Sequence, residues 1–389
     1  MSKDAKNVPA LRFKGYSDAW EKRKFKDLVV RVNKTSDDST IPSVEFEDII
    51  SKQGRLNKDV RLKINSKQGI YFEPQDVLFG KLRPYLQNWL FPSFYGRAVG
   101  DFWVLRANSS VLSEYLFVLI QSPRFQIVAN ISSGTKMPRS DWNTVSNTSF
   151  PIPVQSEQRK IWQLFNVLDN LIAATQHKID ALEQIKEKLS QNLFDQSWRF
   201  KEYSTPWKEN KLKDIVSAYS WGTPSANIRT YYGGHIPFIR SAEIHSSTTA
   251  LTLTQEGLQN SSAKLVKTGD ILYALYGANS GDVDRSKING AINQAILAMR
   301  PSKENDPNFI LFQLMRMKDK IVSTYLQGGQ GNLSGRLILA LNLDMPESTL
   351  EQRTIGRLLQ LLCELIGVNQ SKYSQLELLK KSLLQNLFV

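Results

Sequence analysis

The stretch RFKGYSDAWEKRKFKDLV, residues 12–29, returns as RFKEYSTPWKENKLKDIV at residues 199–216, with ten of 18 positions identical. A second pair of matches lies further along the chain. EQR occurs at residues 157–159 and again at 351–353, and QNLF occurs at 191–194 and again at 385–388. The first pair is offset by 187 positions and the second by 194, in the same order. The chain is therefore an internal duplication.

Between the shared blocks the two copies have diverged, but a sparse framework remains. Asp76-Val77-Leu78-Phe79 corresponds to Asp270-Ile271-Leu272-Tyr273, Leu105-Arg106 to Met299-Arg300, and Ile152-Pro153 to Met345-Pro346. Each divergent region, about 30–155 and 217–346, has strand-like runs, at Val77–Phe79, Phe102–Leu105, Ile236–Ile239 and Ile271–Tyr276. More helical runs follow at Ser113–Val128 and Asn308–Leu326. These patterns predict two mixed domains on one framework, each reading something different.

Two long helices are predicted, because apolar residues recur with alternating spacings of three and four and residues 157–194 lack Pro and Gly. The positions are Ile161, Leu164, Leu168, Leu171, Leu182, Ile185 and Leu189, and then Ile355, Leu358, Leu362, Leu365, Leu376, Leu379 and Leu383. This is the heptad pattern of a coiled coil. Ser156 is the expected N-cap of the first helix, with Glu157 in its first turn, and Thr349 serves similarly in the second.

The middle of the predicted seam is polar in both copies. Thr175 and Lys178 in the first helix match Asn369 and Lys372 in the second. A polar insert at the same depth in both helices indicates register control or a bound partner. A more hydrated, looser middle explains it equally well.

The predicted fold class is α+β, with two mixed α/β domains related by pseudo-two-fold symmetry and separated by an antiparallel coiled coil of two long helices. The expected boundaries are 1–155 for the first domain, 156–196 for the first helix, 197–346 for the second domain and 347–389 for the second helix. A helix over residues 157–194 is about 57 Å long, which makes it a spacer between the domains. Because the second copy ends where the first begins, we expect the two chain termini to lie close together.

The composition is ordinary for a soluble globular protein, with 41% hydrophobic and 22% charged residues, but the charge is not. Lys and Arg total 50 against 37 acidic residues, which gives a net charge of +13, and both halves are basic. Such a surface on folded domains indicates a polyanionic partner, nucleic acid first. A single cysteine, Cys363, and the lack of a signal peptide or a membrane-spanning run predict a cytoplasmic protein without membrane contact.

Candidate DNA-binding residues lie in loops rich in basic and small residues. In the first domain they are Lys81, Arg83, Tyr85, Lys136 and Arg139, and in the second they are Tyr276, Asn279, Gln330 and Asn332. Arg and Lys bind guanine O6 and N7, whereas Asn and Gln bind adenine N6 and N7. Nearby glycines let the backbone approach phosphates closely. Each of these residues is otherwise an ordinary solvated loop residue.

Sequence signatures of catalysis are missing. The chain has no Pro-Pro, and hence no Asn/Asp-Pro-Pro-aromatic box to hold a flipped adenine, and no GxxxxGK[ST] phosphate loop. The Glu209-Asn210-Lys211 pattern is not shared by the first copy, and His177, His235 and His245 lack metal-ligand spacing. We expect no catalytic residue and no metal site. The alternatives are an enzyme with unrecognised active-site residues, and a coiled-coil adaptor that binds nucleic acid without sequence preference.

The chain resembles the specificity subunits of type I restriction–modification enzymes over essentially its whole length. The resemblance rests on the two domains that each end in a Leu-rich helix closing with QNLF, and on four further stretches, SGTKMPRSDW at 133–142, GTPS at 222–225, GHIPFIR at 234–240 and GGQGNLS at 328–334. The first copy departs from the second, because it lacks Gly-Thr-Pro and has Pro42-Ser43 where the second has Pro237-Phe238. The two half-sites should therefore differ.

This resemblance implies two target recognition domains, each reading one half of a split site in double-stranded DNA. It also implies a partner methyltransferase, usually in two copies, that modifies adenine N6 with S-adenosylmethionine, and a restriction subunit that translocates DNA and hydrolyses ATP. S-adenosylmethionine, ATP and Mg²⁺ would then belong to the partner subunits, and this chain would bind no cofactor.

Overall fold

The chain folds into two units, which share both long helices. The computed structural model describes residues 7–63, 66–131, 136–326 and 332–388. Unit 1 consists of the chain up to His177 together with the part from Asn369 onward, and unit 2 runs from Lys178 to Val368. Each unit therefore contains one divergent region and a piece of each long helix.

Unit 1 is a mixed α/β domain. Its strands are β1 Glu21–Lys24, β2 Val29–Val32, β3 Thr35–Ser36, β4 Ser43–Val44, β5 Ile49–Ile50, β6 Arg55–Leu56, β7 Gly69–Phe72, β8 Val77–Gly80, β9 Trp89–Leu90, β10 Gly96–Ala98, β11 Phe102–Ala107 and β12 Ser149–Ile152. Its helices are α1 Ser113–Leu119, α2 Pro123–Ala129 and α3 Trp142–Asn147, followed by the long α4 Gln155–Phe194. The helical run expected over Ser113–Val128 is two helices, because Ser122 caps a new helix that begins at Pro123.

Three layers form unit 1. An antiparallel sheet with strand order β2-β11-β8-β9 lies between the helices and a second sheet with order β3-β7-β10-β4. Strand β11 is buried on both faces: Trp103 and Leu105 pack toward the helices, while Phe102 and Val104 pack toward the second sheet. This alternation is the period-2 pattern of a strand and explains the continuous apolar run in the sequence.

Unit 2 repeats this plan. Its strands are β13 Lys208–Lys211, β14 Val216–Tyr219, β15 Tyr232–Ile239, β16 Thr252–Leu253, β17 Lys264–Val266, β18 Ile271–Ala274, β19 Val283–Arg285, β20 Gly290–Ile292, β21 Ile296–Pro301 and β22 Asn342–Met345. Its helices are α5 Leu212–Ile215, α6 Gln255–Gln259, α7 Pro307–Leu326, α8 Gly335–Leu339 and the long α9 Thr349–Leu387. The sheet order β14-β21-β18-β19 repeats that of the central sheet of unit 1. In the second sheet, with order β16-β15-β20-β17, strands β15, β20 and β17 take the places of β4, β10 and β7, whereas β16 pairs with β15 and β3 of unit 1 pairs with β7.

A buried carboxylate explains the first block of the sequence repeat. Glu157 accepts hydrogen bonds from Arg12 Nε (2.9 Å) and Nη2 (3.0 Å) and from the indole Nε1 of Trp20 (3.2 Å). In unit 2, Glu351 accepts the same bonds from Arg199 and Trp207. The hydrogen bond to Glu157 raises the pKa of Arg12. The repeated Arg, Trp and Glu therefore fasten the start of each copy to its long helix.

A second ion pair explains the framework within the divergent regions. Asp76, at the start of β8, receives a bidentate bond from Arg106 on β11 (2.8 Å for both). Asp270 and Arg300 form the same pair in unit 2 (2.8 and 2.7 Å). Each aspartate also accepts a backbone N–H three residues earlier, so it fixes the turn that enters the strand. The conserved framework residues thus hold the central sheet in register.

The long helices pair antiparallel within each unit, as predicted. In unit 1, Ile161 and Phe165 of α4 pack in one core with Leu387 of α9, and Asp169 binds Lys380 at 2.7 Å. In unit 2, Leu193 and Phe194 of α4 share a core with Ile355 and Leu359 of α9. The numbering rises along α4 as it falls along α9, which is the antiparallel arrangement.

The interface between α4 and α9 uses a different set of residues from the predicted one. At every second place of the heptad pattern, the buried residue lies one position later than predicted. Buried residues along α4 include Ile161, Phe165, Leu168, Ile172, Thr175 and Ile179, and those of α9 include Ile355, Leu359, Ile366 and Asn369. Leu171, Ile185, Leu365 and Leu379, which were assigned to the seam, are exposed. Burial of Thr175 and Asn369 confirms a polar middle, whereas Lys178 and Lys372 face outward. Phe165 and Ile172 are buried at the interface, whereas Leu164 is partly buried against the same core and Leu171 is exposed.

Both predicted helix caps are wrong. Helix α4 begins at Gln155, and Glu157 N and Gln158 N bond to Val154 O, so Ser156 lies inside the first turn. Helix α9 begins at Thr349, and Ser348 Oγ accepts from Glu351 N (3.3 Å). Thr349 Oγ1 instead donates to Glu304 O. Glu157 and Glu351 are engaged by arginine and tryptophan and not chiefly by the helix dipole.

The two ends of the chain meet in unit 1, as expected. Leu11 N donates to Asn386 O at 2.9 Å, and Trp20 packs edge-on against Phe388. Unit 2 contains the corresponding bond within the continuous chain, from Trp198 N to Asn192 O (3.1 Å). The same local structure therefore forms whether or not the backbone is continuous.

Candidate nucleic-acid interface

Three segments meet at one edge of the central sheet in unit 1. Strand β8 ends where β11 begins, since Gly80 pairs with Phe102. Lys81 N donates to Asp101 O (2.8 Å), Arg83 N to Pro138 O (2.7 Å) and Ser140 N to Lys81 O (2.9 Å). The two loops singled out in the sequence are thus bonded to each other. We call the surface formed by Lys81, Arg83, Tyr85, Asp101, Lys136 and Arg139 the first edge surface.

The charges of the first edge surface are only partly compensated. Asp101 binds Arg139 (Nη2 to Oδ2, 2.9 Å) and lies 3.5 Å from Lys81 Nζ. Arg83 and Lys136 are exposed and form no ion pair with any carboxylate in the described part of the chain. Tyr85 is 55% exposed. The surface therefore presents cations and an aromatic ring to solvent, which suits a polyanion.

The backbone around Tyr85 has an unusual conformation. Arg83 (φ 48°) and Gln87 (φ 58°) are both left-handed, and they flank a short 3-10 turn over Pro84–Leu86. Pro84 is buried, so the turn is anchored while Tyr85 stays outside. The corresponding position in unit 2 is Gly277, with φ 86°.

Unit 2 has the equivalent edge with different chemistry. Leu275 N donates to Ala295 O (2.8 Å), and Leu333 N donates to Leu275 O (3.0 Å). These bonds bring the loop with Tyr276 and Asn279 beside Asn332. Tyr276 is half-buried against the core, Asn279 is half-buried, and Asn332 is exposed. Gln330 lies outside the described residues.

Two polar residues at these edges were not among the candidates named from the sequence. In unit 1 the missed residue is Asp101, and in unit 2 it is Gln294, whose Oε1 accepts from Thr223 Oγ1 (2.5 Å). Ser220 Oγ also donates to Gln294 O (3.2 Å). We call Thr223, Tyr276, Asn279, Gln294 and Asn332 the second edge surface. Antiparallel pairing of the strands could have indicated these residues. In an antiparallel pair, the residues that follow one strand lie beside the residues that precede its neighbour.

The histidines and the long helices bear on metal ligation and on membrane spanning. His245 Nδ1 lies 2.9 Å from Asp284, and this bond raises the pKa of His245. Over the described ranges, no group of three His, Cys, Asp or Glu residues is arranged to hold a metal ion. No helix in the same ranges is long and apolar enough to cross a membrane.

Comparison with known proteins identifies the family. The family model described as the type I restriction modification DNA specificity domain matches residues 17–184 and again residues 204–378. The chain belongs to this specificity family. It is a specificity subunit with two such domains, the DNA-recognition component of a type I system and not its catalytic part.

Individual relatives agree with this assignment. The MjaVIII specificity subunit of Methanocaldococcus jannaschii is 26% identical over 302 residues, covering 72% of this chain and 70% of that protein. The HindI specificity subunit of Haemophilus influenzae is 21% identical, covering 81% and 86%. The crystal structure of the S subunit from M. genitalium has a TM-score of 0.71 at 14% identity, covering 98% and 99%. The resemblance read from the sequence and the predicted fold class are confirmed.

Proposed function

We propose that this specificity subunit binds a bipartite, asymmetric DNA site, with unit 1 reading one part through the first edge surface and unit 2 the other through the second. One observation carries the proposal. The two units share a hydrogen-bonded framework, but the same edge carries lysine and arginine in unit 1 and amides, a hydroxyl and tyrosine in unit 2. Guanidinium and amide groups select different bases in the major groove, so the two parts of the site should differ.

Partner methyltransferases are proposed to bind the exposed apolar residues of the long helices. In unit 1, α4 exposes Val167 and Leu171, and in unit 2, α9 exposes Leu361 and Leu365 at the corresponding repeat positions. Apolar residues that recur on the outside of both helices favour two equivalent docking surfaces, and hence two methyltransferase copies. A restriction subunit that translocates DNA completes the proposed complex.

Cofactor chemistry is assigned to the partners in this proposal. Methyl transfer from S-adenosylmethionine and ATP hydrolysis with Mg²⁺ would take place on those subunits, while this chain selects the DNA site. A cytoplasmic location belongs to the same proposal and is supported by the single cysteine.

The test is to express the chain with its methyltransferase and map methylated adenines across a genome. A defined two-part motif is expected. Exchange of residues 30–150 for the matching region of a relative should then change one part and leave the other untouched. If both parts changed together, the two-reader assignment would be wrong.

A competition experiment separates sequence reading from non-specific binding by an adaptor. The complex should prefer a duplex with the mapped motif over random duplex by at least about 1,000-fold. Binding should weaken with salt by roughly 0.9 log units per phosphate contact for each decade of concentration. Equal binding to both duplexes would favour the non-specific adaptor.

A further inference from the structure

In each unit a polar residue lies shortly before the strand that begins at the edge surface. This residue is Asp101 before β11 in unit 1 and Gln294 before β21 in unit 2. The backbone bond from Lys81 N to Asp101 O has its counterpart in the bond from Leu275 N to Ala295 O, both 2.8 Å. Asp101 and Ala295 therefore occupy the same framework position. Gln294, one residue earlier, corresponds to Gly100 of unit 1. At the position of Asp101 and Ala295 the shared hydrogen bond involves only the backbone, so this side chain is free to differ, whereas Gly100 has a left-handed φ of 103° that favours glycine in unit 1.

The negative charge of Asp101 opposes the binding of DNA, and the fold does not explain why an acid is present here. Asp101 lies among Lys81, Arg83 and Arg139, on a surface proposed to face phosphates, where its charge opposes binding. Its ion pair with the half-exposed Arg139 contributes little to stability, since exposed pairs are worth about 0–1 kcal/mol. Ala295 fills the same position without any charge. A role in recognising DNA accounts for the aspartate better than a role in folding.

We infer that Asp101 and Gln294 are specificity-determining residues, each for the half-site read by its own unit, an inference that rests on the proposed DNA-reading function. A carboxylate accepts a hydrogen bond from cytosine N4, while a neighbouring arginine binds guanine O6 and N7. Asp101 with Arg83 or Arg139 therefore suits a G·C pair. The same carboxylate repels phosphates and so weakens binding to random sequence.

Gln294 suits adenine instead. Its Oε1 accepts from Thr223 Oγ1, and its backbone carbonyl accepts from Ser220, so the amide is held in place while the side chain remains exposed. A fixed amide loses little freedom on binding. Glutamine pairs with adenine N6 and N7 through its oxygen and nitrogen. Unit 2 would thereby read an A·T pair from the same edge of the sheet, one residue away from the position of Asp101 in unit 1.

The experiment maps methylated adenines for the complex of full-length chain and methyltransferase in four alanine variants and in Asp101→Asn. Asp101→Ala and Gln294→Ala remove the two side chains. Glu21→Ala is the control for charge, because Glu21 is an exposed acid paired with Arg23 on β1, away from the edge. Gln259→Ala is the control for an exposed amide in unit 2. Thermal unfolding of each variant verifies the fold.

Asp101→Ala is expected to relax one G·C position in the unit 1 half of the motif, with roughly tenfold less discrimination there, and to bind random duplex more tightly than Glu21→Ala. Asp101→Asn should additionally admit adenine at that position. Gln294→Ala should relax one A·T position in the other half only. A motif unchanged from the controls would overturn the inference for that residue. If the unaltered complex itself methylated no defined motif, the proposed function would fail instead.

Discussion

At the scale of single residues, Arg83 combines a strained backbone with an unpaired charge. Left-handed φ and ψ cost about 1–2 kcal/mol for a residue with a side chain. Glycine, which unit 2 has at the same position, adopts this conformation at lower cost. The cation therefore stands where the backbone favours glycine, at the edge proposed to meet DNA. Backbone preference does not explain an arginine here, whereas contact with DNA does.

We expect Arg83→Gly to stabilise unit 1 and to weaken DNA binding. Release of the strain exceeds the added chain entropy, so the free energy of unfolding should rise by up to about 1 kcal/mol. Loss of the guanidinium should weaken specific binding by about 1–3 kcal/mol. Urea denaturation measures the first effect and competition binding to the mapped motif measures the second.

Gln87→Gly is the matched control, because Gln87 is left-handed at the other end of the same turn and carries no charge. It should be stabilised to a similar degree and bind DNA as the unaltered protein does. Equal affinities for the two glycine variants would remove Arg83 from the interface.

At the scale of elements, the interface between α4 and α9 shows what the spacing of apolar residues can and cannot predict. Helix α4 has apolar residues at 161, 164, 165, 168, 171 and 172, so two adjacent stripes both satisfy the alternating spacing of three and four. Only packing decides between them, and it selects Phe165 and Ile172. The rejected positions, such as Leu171, become exposed apolar residues. Periodicity alone identifies the helix but not which stripe faces its partner.

In unit 1, the interface between α4 and α9 also contains the ion pair Asp169–Lys380, whose contribution to the free energy of unfolding can be measured. Burial raises the pKa of Asp169 despite the nearby Lys380. An aspartate with a raised pKa costs the folded state when it ionises; this cost is absent below about pH 4 and grows as pH rises through the raised value. Replacing both residues by leucine should therefore be neutral or stabilising, and more so at pH 7 than at pH 4.

Lys380→Leu alone should behave differently from the double variant. It leaves Asp169 largely buried without its cation, which should cost about 2 kcal/mol at pH 7, less than for a fully buried pair. Chemical denaturation at both pH values checks these differences. A double variant that is less stable than the unaltered protein at pH 7 would show that the pair contributes net stability.

The exposed apolar residues of the helices predict how partners bind. Leu171→Glu on α4 and Leu365→Glu on α9 should each leave the fold intact and remove one methyltransferase copy from the complex, because a charge in an apolar interface is costly. Native mass spectrometry would count the copies. Asn170→Glu adds the same charge at a neighbouring exposed position and should retain both copies. Two copies in the leucine variants would place the partner elsewhere.

At the scale of the whole molecule, the repeated framework could be predicted because its residues have obligatory partners. Glu157, Arg106 and Phe388 each bind or pack against another repeated residue, so they recur in both copies. Loop composition led to the edge surfaces proposed to bind DNA, and it named Arg83 and Asn332 as candidates there; whether these residues bind DNA stays a prediction. Asp101 and Gln294 were not among the candidates, because strand pairing brings them to the edges from positions far apart in sequence from the candidate loops. Because the two copies have diverged at these edges, the repeat does not indicate which residues correspond there.

The meeting of the chain ends predicts that the order of the units can be permuted. Asn192 and Trp198 are bonded across five intervening residues in unit 2. Asn386 and Leu11 form the same bond in unit 1, so joining Val389 directly to Pro9 also leaves five residues between them. Opening the chain between Gln196 and Ser197 then places the new ends at the equivalent point of unit 2.

This permuted chain should fold and, with its methyltransferase, recognise the same two-part motif. Both units keep their Arg–Trp–Glu contacts, since the cut falls before Arg199 and the joint falls before Arg12. One loop closure is exchanged for another of equal length, and the removal of residues 1–8 takes away the hydrogen bond from Trp20 N to Asn7 O, so the free energy of unfolding should fall by no more than about 2 kcal/mol. A chain opened instead between Leu272 and Tyr273, inside the buried strand β18, should not fold. If the chain opened at Gln196 also failed to fold, the bond between Leu11 and Asn386 would not be equivalent to a continuous backbone.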